Sequence, residues 1–181
     1  MGAPAAMDFS DDHFLLFGLP RRYALDEAAL TRRYHEVQAS VHPDKYADQG
    51  DSQRRLAMQW TTRINEAYQT LRQPLRRARY LLSLVDIDAD QGREMDGEFL
   101  LQQMDWRERV AEARGAWDVA LLEDLLDQAK KNMAQQYRQL AAEFENYPQL
   151  GGGRAVVLLR QLMFQEKLLH DIDDALAAAE A

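Results

Sequence analysis

The 181-residue chain contains no cysteine. That absence excludes disulfides, thiolate nucleophiles, CxxC zinc sites and direct thiolate ligation of an iron–sulfur cluster. It fits a protein of a reducing compartment, and cytoplasm is the expected location. Long hydrophobic runs are missing as well. None approaches the ~20 residues needed to cross a membrane, and no signal peptide is visible. The opening "MGAPAAMDFS" lacks basic residues and reads as a flexible tail over residues 1–7, with Met7 a candidate natural start. Strand alternation and internal repeats are absent too. Positive charge is scarce in one half only. Residues 83–181 hold 10 Lys+Arg against 20 Asp+Glu, whereas residues 1–82 hold 12 against 10. The split suggests two units with different partners, and the acidic half argues against nucleic acid, which requires a basic face.

What is present is helix. With five prolines and nine glycines in the chain, breaks are few and each is informative. "DDHFLLF" forms a short first helix, stopped by Gly18 and Pro20. A second starts after the N-cap Asp26 and sets Leu30, Tyr34, Val37 and Val41 on one face. Pro43 disfavours helical geometry at His42 and ends it there. The third runs from Ser52 to Arg72 with Leu56, Trp60, Ile64, Ala67 and Leu71 as its stripe. Pro74 interrupts it, and "LRRARYLLSL" is one more short helix. The arginines at 72, 76, 77 and 79 could look like a nucleic-acid patch but are expected to cover that helix and meet acidic groups within the same domain.

Residues 83–97 are the expected linker. Three helices follow: Glu98 to Arg114, a second capped by Asp118, and a last from Arg154 to Leu176. Trp117 and Leu122 are placed as a hydrophobic staple, and the middle stripe is Leu122, Leu126, Ala129, Met133, Tyr137, Leu140 and Phe144. Short connections between long amphipathic helices predict an antiparallel three-helix bundle over residues 98–181. The expected fold is therefore all-α, a helical domain over residues 8–82 followed by a helical bundle.

His42, Pro43 and Asp44 stand in a row between two amphipathic helices. Chemically such a triplet is open to a catalytic pair, a metal site, a helix stop or a surface that a partner reads. No motif places a nucleophile beside it. The four histidines, at 13, 35, 42 and 170, have no recognisable ligand spacing, so neither a metal nor a cofactor is expected. Downstream, "INEAYQTL" at 64–71 is followed by Pro74, Arg77 and Tyr80. In this order and spacing the set resembles the J-domain, by which co-chaperones engage DnaK-type ATPase chaperones. "FLLFGLP", "HPDKY", "INEAYQTLRQPLRRARYLLSL" and "FLLQQMDWRE" together resemble the HscB family of bacterial iron–sulfur cluster assembly, over about residues 8–176.

That resemblance implies an antiparallel helical hairpin carrying the tripeptide, a dedicated ATPase partner, HscA, and a C-terminal bundle that binds the scaffold protein IscU. It implies no chemistry by His42 or Asp44 themselves. Pro43 fixes its own φ and limits the loop's freedom, which suits presentation to a partner. The sequence departs from the family in one respect: "HEVQASV", before the tripeptide, has no Lys or Arg. Arg32, Arg33 and Lys45 are expected to supply the positive charge instead, or else to form an ordinary solvated face.

A second informative stretch is "EFLLQQMDWRERVAEA" at 98–113. At about 100° per residue, Phe99, Trp106, Val110 and Ala113 form one narrow stripe. Leu100, Leu101 and Met104 fall well away from it, among Asp105, Glu108 and Glu112. Apolar residues rimmed by acids, opposite a core stripe, describe an interaction patch. In the last helix Leu159, Leu162, Leu169 and Ile172 share a face, with Val157, Phe164 and Leu168 across from it. The resemblance implies scaffold binding by Leu100, Leu101, Met104, Asp105, Glu108, Glu112 and Phe164. The other reading is a helix that buries two faces. Three function classes remain: this adaptor, a general J-protein delivering unfolded clients, and an enzyme acting through His42 and Asp44. The absence of a Gly/Phe-rich linker and of cysteine repeats weighs against the second.

Overall fold

The computed structural model describes residues 8–42, 44, 50–90, 95–150 and 153–179. Pro43 and Lys45 lie outside them. The chain divides into two compact units, Met1–Leu84 and Val85–Ala181. Seven α-helices are described: α1 His13–Leu16, α2 Glu27–Val41, α3 Asp51–Arg72, α4 Pro74–Ser83, α5 Gly97–Gly115, α6 Val119–Glu143 and α7 Arg154–Ala179. No strand occurs among the described residues.

In the first unit α2 and α3 form an antiparallel hairpin. Thr31 and Tyr68 approach through their hydroxyls at 3.4 Å, while Tyr34 donates to Asn65 Oδ1 at 3.0 Å. The pairing number rises on one helix as it falls on the other. Asp26 caps α2 by accepting from the Ala29 amide at 3.0 Å. The buried side chains Phe14, Leu16, Phe17, Leu30, Val41, Ile64, Leu71 and Leu81 make the unit's core.

One expectation about this unit is corrected. Ala57, not Leu56, continues the buried stripe of α3 through Trp60, Ile64, Ala67 and Leu71. Leu56 is exposed, although by angle alone it lies as near the centre of that stripe as Ala57 does, so the neighbouring helices and not the period choose between them. Arg77 has the Glu27 carboxylate close enough for its charge to be felt, but it is neither solvated nor paired at the surface. It is buried, donates to the Leu71 carbonyl at 2.7 Å and lies over the Tyr23 ring at 5.2 Å.

The second unit is a three-helix bundle. Arg154 reaches Glu143 at 3.3 Å and Gln136 donates to Gln161 at 3.4 Å, so α6 and α7 run antiparallel. Val110, Ala113, Leu122, Leu125, Ala129, Leu168, Ile172 and Ala175 form one buried cluster. Leu125 occupies the central place expected of Leu126, which is partly buried at its edge. Leu168, expected across from the core, belongs to it. Trp117 makes no staple: it takes a left-handed backbone, φ 54°, and its side chain is exposed. Asp118 still caps α6, accepting from the Leu121 amide at 3.0 Å.

Candidate partner-binding surfaces

The first surface stands at the end of the α2–α3 hairpin. His42 closes α2 with φ −58° and ψ 130°, the extended geometry that a following proline enforces. Its Nδ1 accepts from the Asp44 amide at 3.3 Å and lies 3.5 Å from Asp44 Oδ2. Acceptance at Nδ1 leaves Nε2 to carry the proton of the neutral ring. Both side chains face solvent, with 52% of His42 and 91% of Asp44 exposed. A histidine–carboxylate pair held this openly is not enclosed by the described residues around it. It can offer directed hydrogen bonds to something larger.

The motif residues downstream build the hairpin that carries this pair. Tyr34 stacks on Tyr68 with ring centroids 4.1 Å apart, and Gln38 donates to the Tyr34 hydroxyl at 2.9 Å. Asn65 and Tyr68 of "INEAY" are thus cross-links between α2 and α3. Tyr80 accepts the His13 amide at 3.0 Å and stacks on the His13 ring at 4.1 Å, which ties α4 to α1.

The expected basic residues behave differently from one another. Arg32 is exposed. Arg33 pairs with Glu36 at 2.9 Å, so part of its charge is answered within its own helix. Its guanidinium also packs against Gly18, where an added Cβ would stand 3.1 Å from Nη2. Gly18 has φ +62°, a left-handed backbone in which any side chain is strained.

The second surface is on α5. Phe99, Val110 and Ala113 are buried, while Leu100, Leu101 and Met104 are 40%, 67% and 66% exposed. Asp105, Glu108 and Glu112 are exposed beside them. Phe164 of α7 is half-buried and meets Phe99 edge-on, with centroids 6.2 Å apart and an 81° interplanar angle. Three apolar side chains open to water on one helix form the kind of surface that marks a contact site. Gln103, between them in sequence, is buried with the core. Sequence reasoning passed over it, as it did the stacking of Phe9 on Trp60 at 3.9 Å. Polar residues on apolar stripes carry no periodic signal of their own.

Among the described residues no three His, Cys, Asp or Glu side chains gather as a metal site would require. No helix among them is long and apolar enough to cross a membrane.

Comparison with known proteins matches residues 95–173 to the HSCB C-terminal oligomerisation domain. The co-chaperone protein HscB homolog of Azoarcus sp. is 45% identical over 180 residues, 97% of this chain and 99% of that relative. The solved chaperone HscB from Vibrio cholerae superposes with a TM-score of 0.80 at 33% identity, covering 91% of this chain and 96% of its own. Human co-chaperone protein HscB does so with a TM-score of 0.84 at 28% identity, covering 93% and 83%. A J-domain hairpin joined to a helical bundle defines a J-domain co-chaperone, the class of protein that acts with an Hsp70-type chaperone. Within that class, the chain belongs to the HscB family.

Proposed function

We propose that this co-chaperone is an adaptor without enzymatic activity of its own, active in the cytoplasm in iron–sulfur cluster maturation. Its bundle binds the scaffold protein IscU, and its J-domain stimulates the ATPase of the DnaK-type chaperone HscA. The cluster travels on the scaffold as cargo, so the adaptor needs no cofactor. The observation that carries the reading is the exposure of Leu101 and Met104 on a helix whose other face is core. An apolar surface of this kind, on a unit separate from the J-domain, supports a second partner.

The division of labour follows from the chemistry of the two surfaces. His42 and Asp44 supply directed hydrogen bonds to the ATPase, with Pro43 limiting the freedom between them. Arg32 and Lys45 add positive charge there, and Arg33 contributes less because Glu36 already answers it. On the bundle, Leu100, Leu101, Met104 and Phe164 supply apolar area, and Asp105, Glu108 and Glu112 set orientation at its rim. Met104 suits such a surface because its unbranched chain repacks easily.

His42→Gln should abolish ATPase stimulation while scaffold affinity, measured by calorimetric titration, stays within about twofold. Leu100→Ala with Met104→Ala should weaken scaffold binding by about tenfold or more and leave J-domain stimulation without scaffold intact. If both variants lose both activities, the division of labour is wrong. Binding of an unfolded polypeptide as tight as that of the folded scaffold would instead favour a general client-delivering J-protein.

A further inference from the structure

We propose that the groove between α5 and α7 is a second docking site on the bundle, one that takes an acidic peptide segment of a protein partner. This goes beyond the scaffold reading and does not depend on it. The groove has a volume of about 430 Å³ and is walled by Arg107 and Arg114 from α5 and by Lys167 and His170 from α7. Val110 and Leu168 lie at its base, both part of the packed core. Asp171 is the one carboxylate on its lining.

This gathering of cations runs against its surroundings. Residues 83–181 carry 20 acidic side chains and 10 Lys+Arg, yet three of those ten converge here. Two other basic residues of the bundle are engaged elsewhere: Arg154 pairs with Glu143 at 3.3 Å, and Arg109 lies over the Trp106 ring at 5.3 Å. Among the described residues no ion pair engages Arg107, Arg114 or Lys167. His170 faces Asp174 at 3.4 Å, so the three permanent charges carry the argument. Like charges placed together repel, and an anion bound among them relieves that repulsion.

The occupant follows from size and sign. Arg107 and Arg114 are two turns apart, about 10 Å along the axis. That is the span of about three residues of extended chain. A peptide carrying carboxylates at that spacing reaches both guanidinium forks, each of which donates paired hydrogen bonds to a carboxylate. A nucleic acid would bring its dense phosphate charge against the acidic remainder of the bundle. The order of charge along α5 adds to this. Asp105, Glu108 and Glu112 lie on one flank of Met104 and the two arginines on the other. One helix therefore presents opposite signs to its two sides.

The test is a titration of the full-length, isotope-labelled chain with a blocked tetra-aspartate peptide, followed by amide chemical shifts. Saturable shifts should centre on Val110, Ala111 and Leu168. Arg107→Glu with Lys167→Glu should weaken binding by roughly tenfold or more, since several exposed pairs are lost together. The matched reversal Lys130→Glu with Lys131→Glu, on exposed positions of α6, should leave it intact, as should Leu100→Ala with Met104→Ala. Shifts scattered over the surface, or equal weakening by both charge reversals, would overturn the proposal. So would inorganic phosphate occupying the same residues as tightly as the peptide, which would make this a small-anion site.

Discussion

At the scale of single residues, His13 shows how one side chain is tied to the stability of the J-domain. Its ring stacks on Tyr80, and its Nδ1 is buried without a hydrogen-bond partner. Burial holds the imidazole below its ordinary pKa, and the nearby Arg63 charge adds to this, while Glu66 and Asp12 oppose it. An unfolded histidine titrates near ~6.5. The folded state therefore binds fewer protons than the unfolded state in the interval below that value. The stabilising contribution is present above pH ~6.5 and is lost as pH falls through the lower folded value. His13→Phe keeps a ring against Tyr80 and removes the titrating group. Urea midpoints of the J-domain should shift in the variant's favour between pH 7.5 and pH 5.5, by an amount that grows as the pH drops. Parallel curves for the two proteins across that range would show that His13 is not the cause.

At the scale of elements, the end of α3 explains why Arg77 is buried. The last carbonyls of a helix have no intrahelical partner. Pro74 opens α4 immediately after, and a proline has no N–H to offer them. The Arg77 guanidinium reaches back from α4 and satisfies the Leu71 carbonyl at 2.7 Å. Its face meanwhile covers Tyr23. Arg77→Ala should destabilise the J-domain by about 2 kcal/mol or more, because it strands a buried acceptor. Arg77→Lys should recover only part of this, since an ammonium lacks the planar face that rests on the ring. Chemical denaturation of the two variants measures both effects.

This contact also marks the limit of what the sequence discloses. Helix existence, order and most boundaries are legible, because prolines, glycines and N-cap aspartates punctuate apolar periodicity. Which of two adjacent leucines is central is not. Leu125 and Leu126 fit the stripe of α6 about equally until α5 and α7 choose between them. Trp117 reads as a staple by spacing alone, yet its left-handed backbone turns the ring to solvent. The exposed patch on α5 was legible for the opposite reason: Leu100, Leu101 and Met104 break the period that Phe99, Val110 and Ala113 obey. The groove cations at 107, 114 and 167 were not, since their convergence depends on how two helices pair.

At the scale of the whole molecule, two compact units share one chain, and the segment between Ser83 and Gly97 is their covalent link. Under the proposed function, that connection does thermodynamic work. A scaffold held by the bundle is tethered to the J-domain, so its encounter with the ATPase is governed by an effective concentration. For short tethers this reaches the millimolar range, far above the level of either partner in solution. Neither surface need bind tightly for the assembly to form, and each can release its partner when the ATPase has turned over. The arrangement therefore predicts a loss that no surface mutation would mimic. A protease-recognition sequence inserted beside Asp90 should be neutral while the chain is intact. After cleavage, scaffold affinity should be unchanged, and so should stimulation by the J-domain alone. The extra stimulation that scaffold and co-chaperone give together should then require roughly a hundredfold more protein, the scale on which tethering raises avidity. Single-turnover ATP hydrolysis before and after cleavage measures this, and an undiminished joint effect would mean that the two units communicate through the chaperone rather than through their own connection.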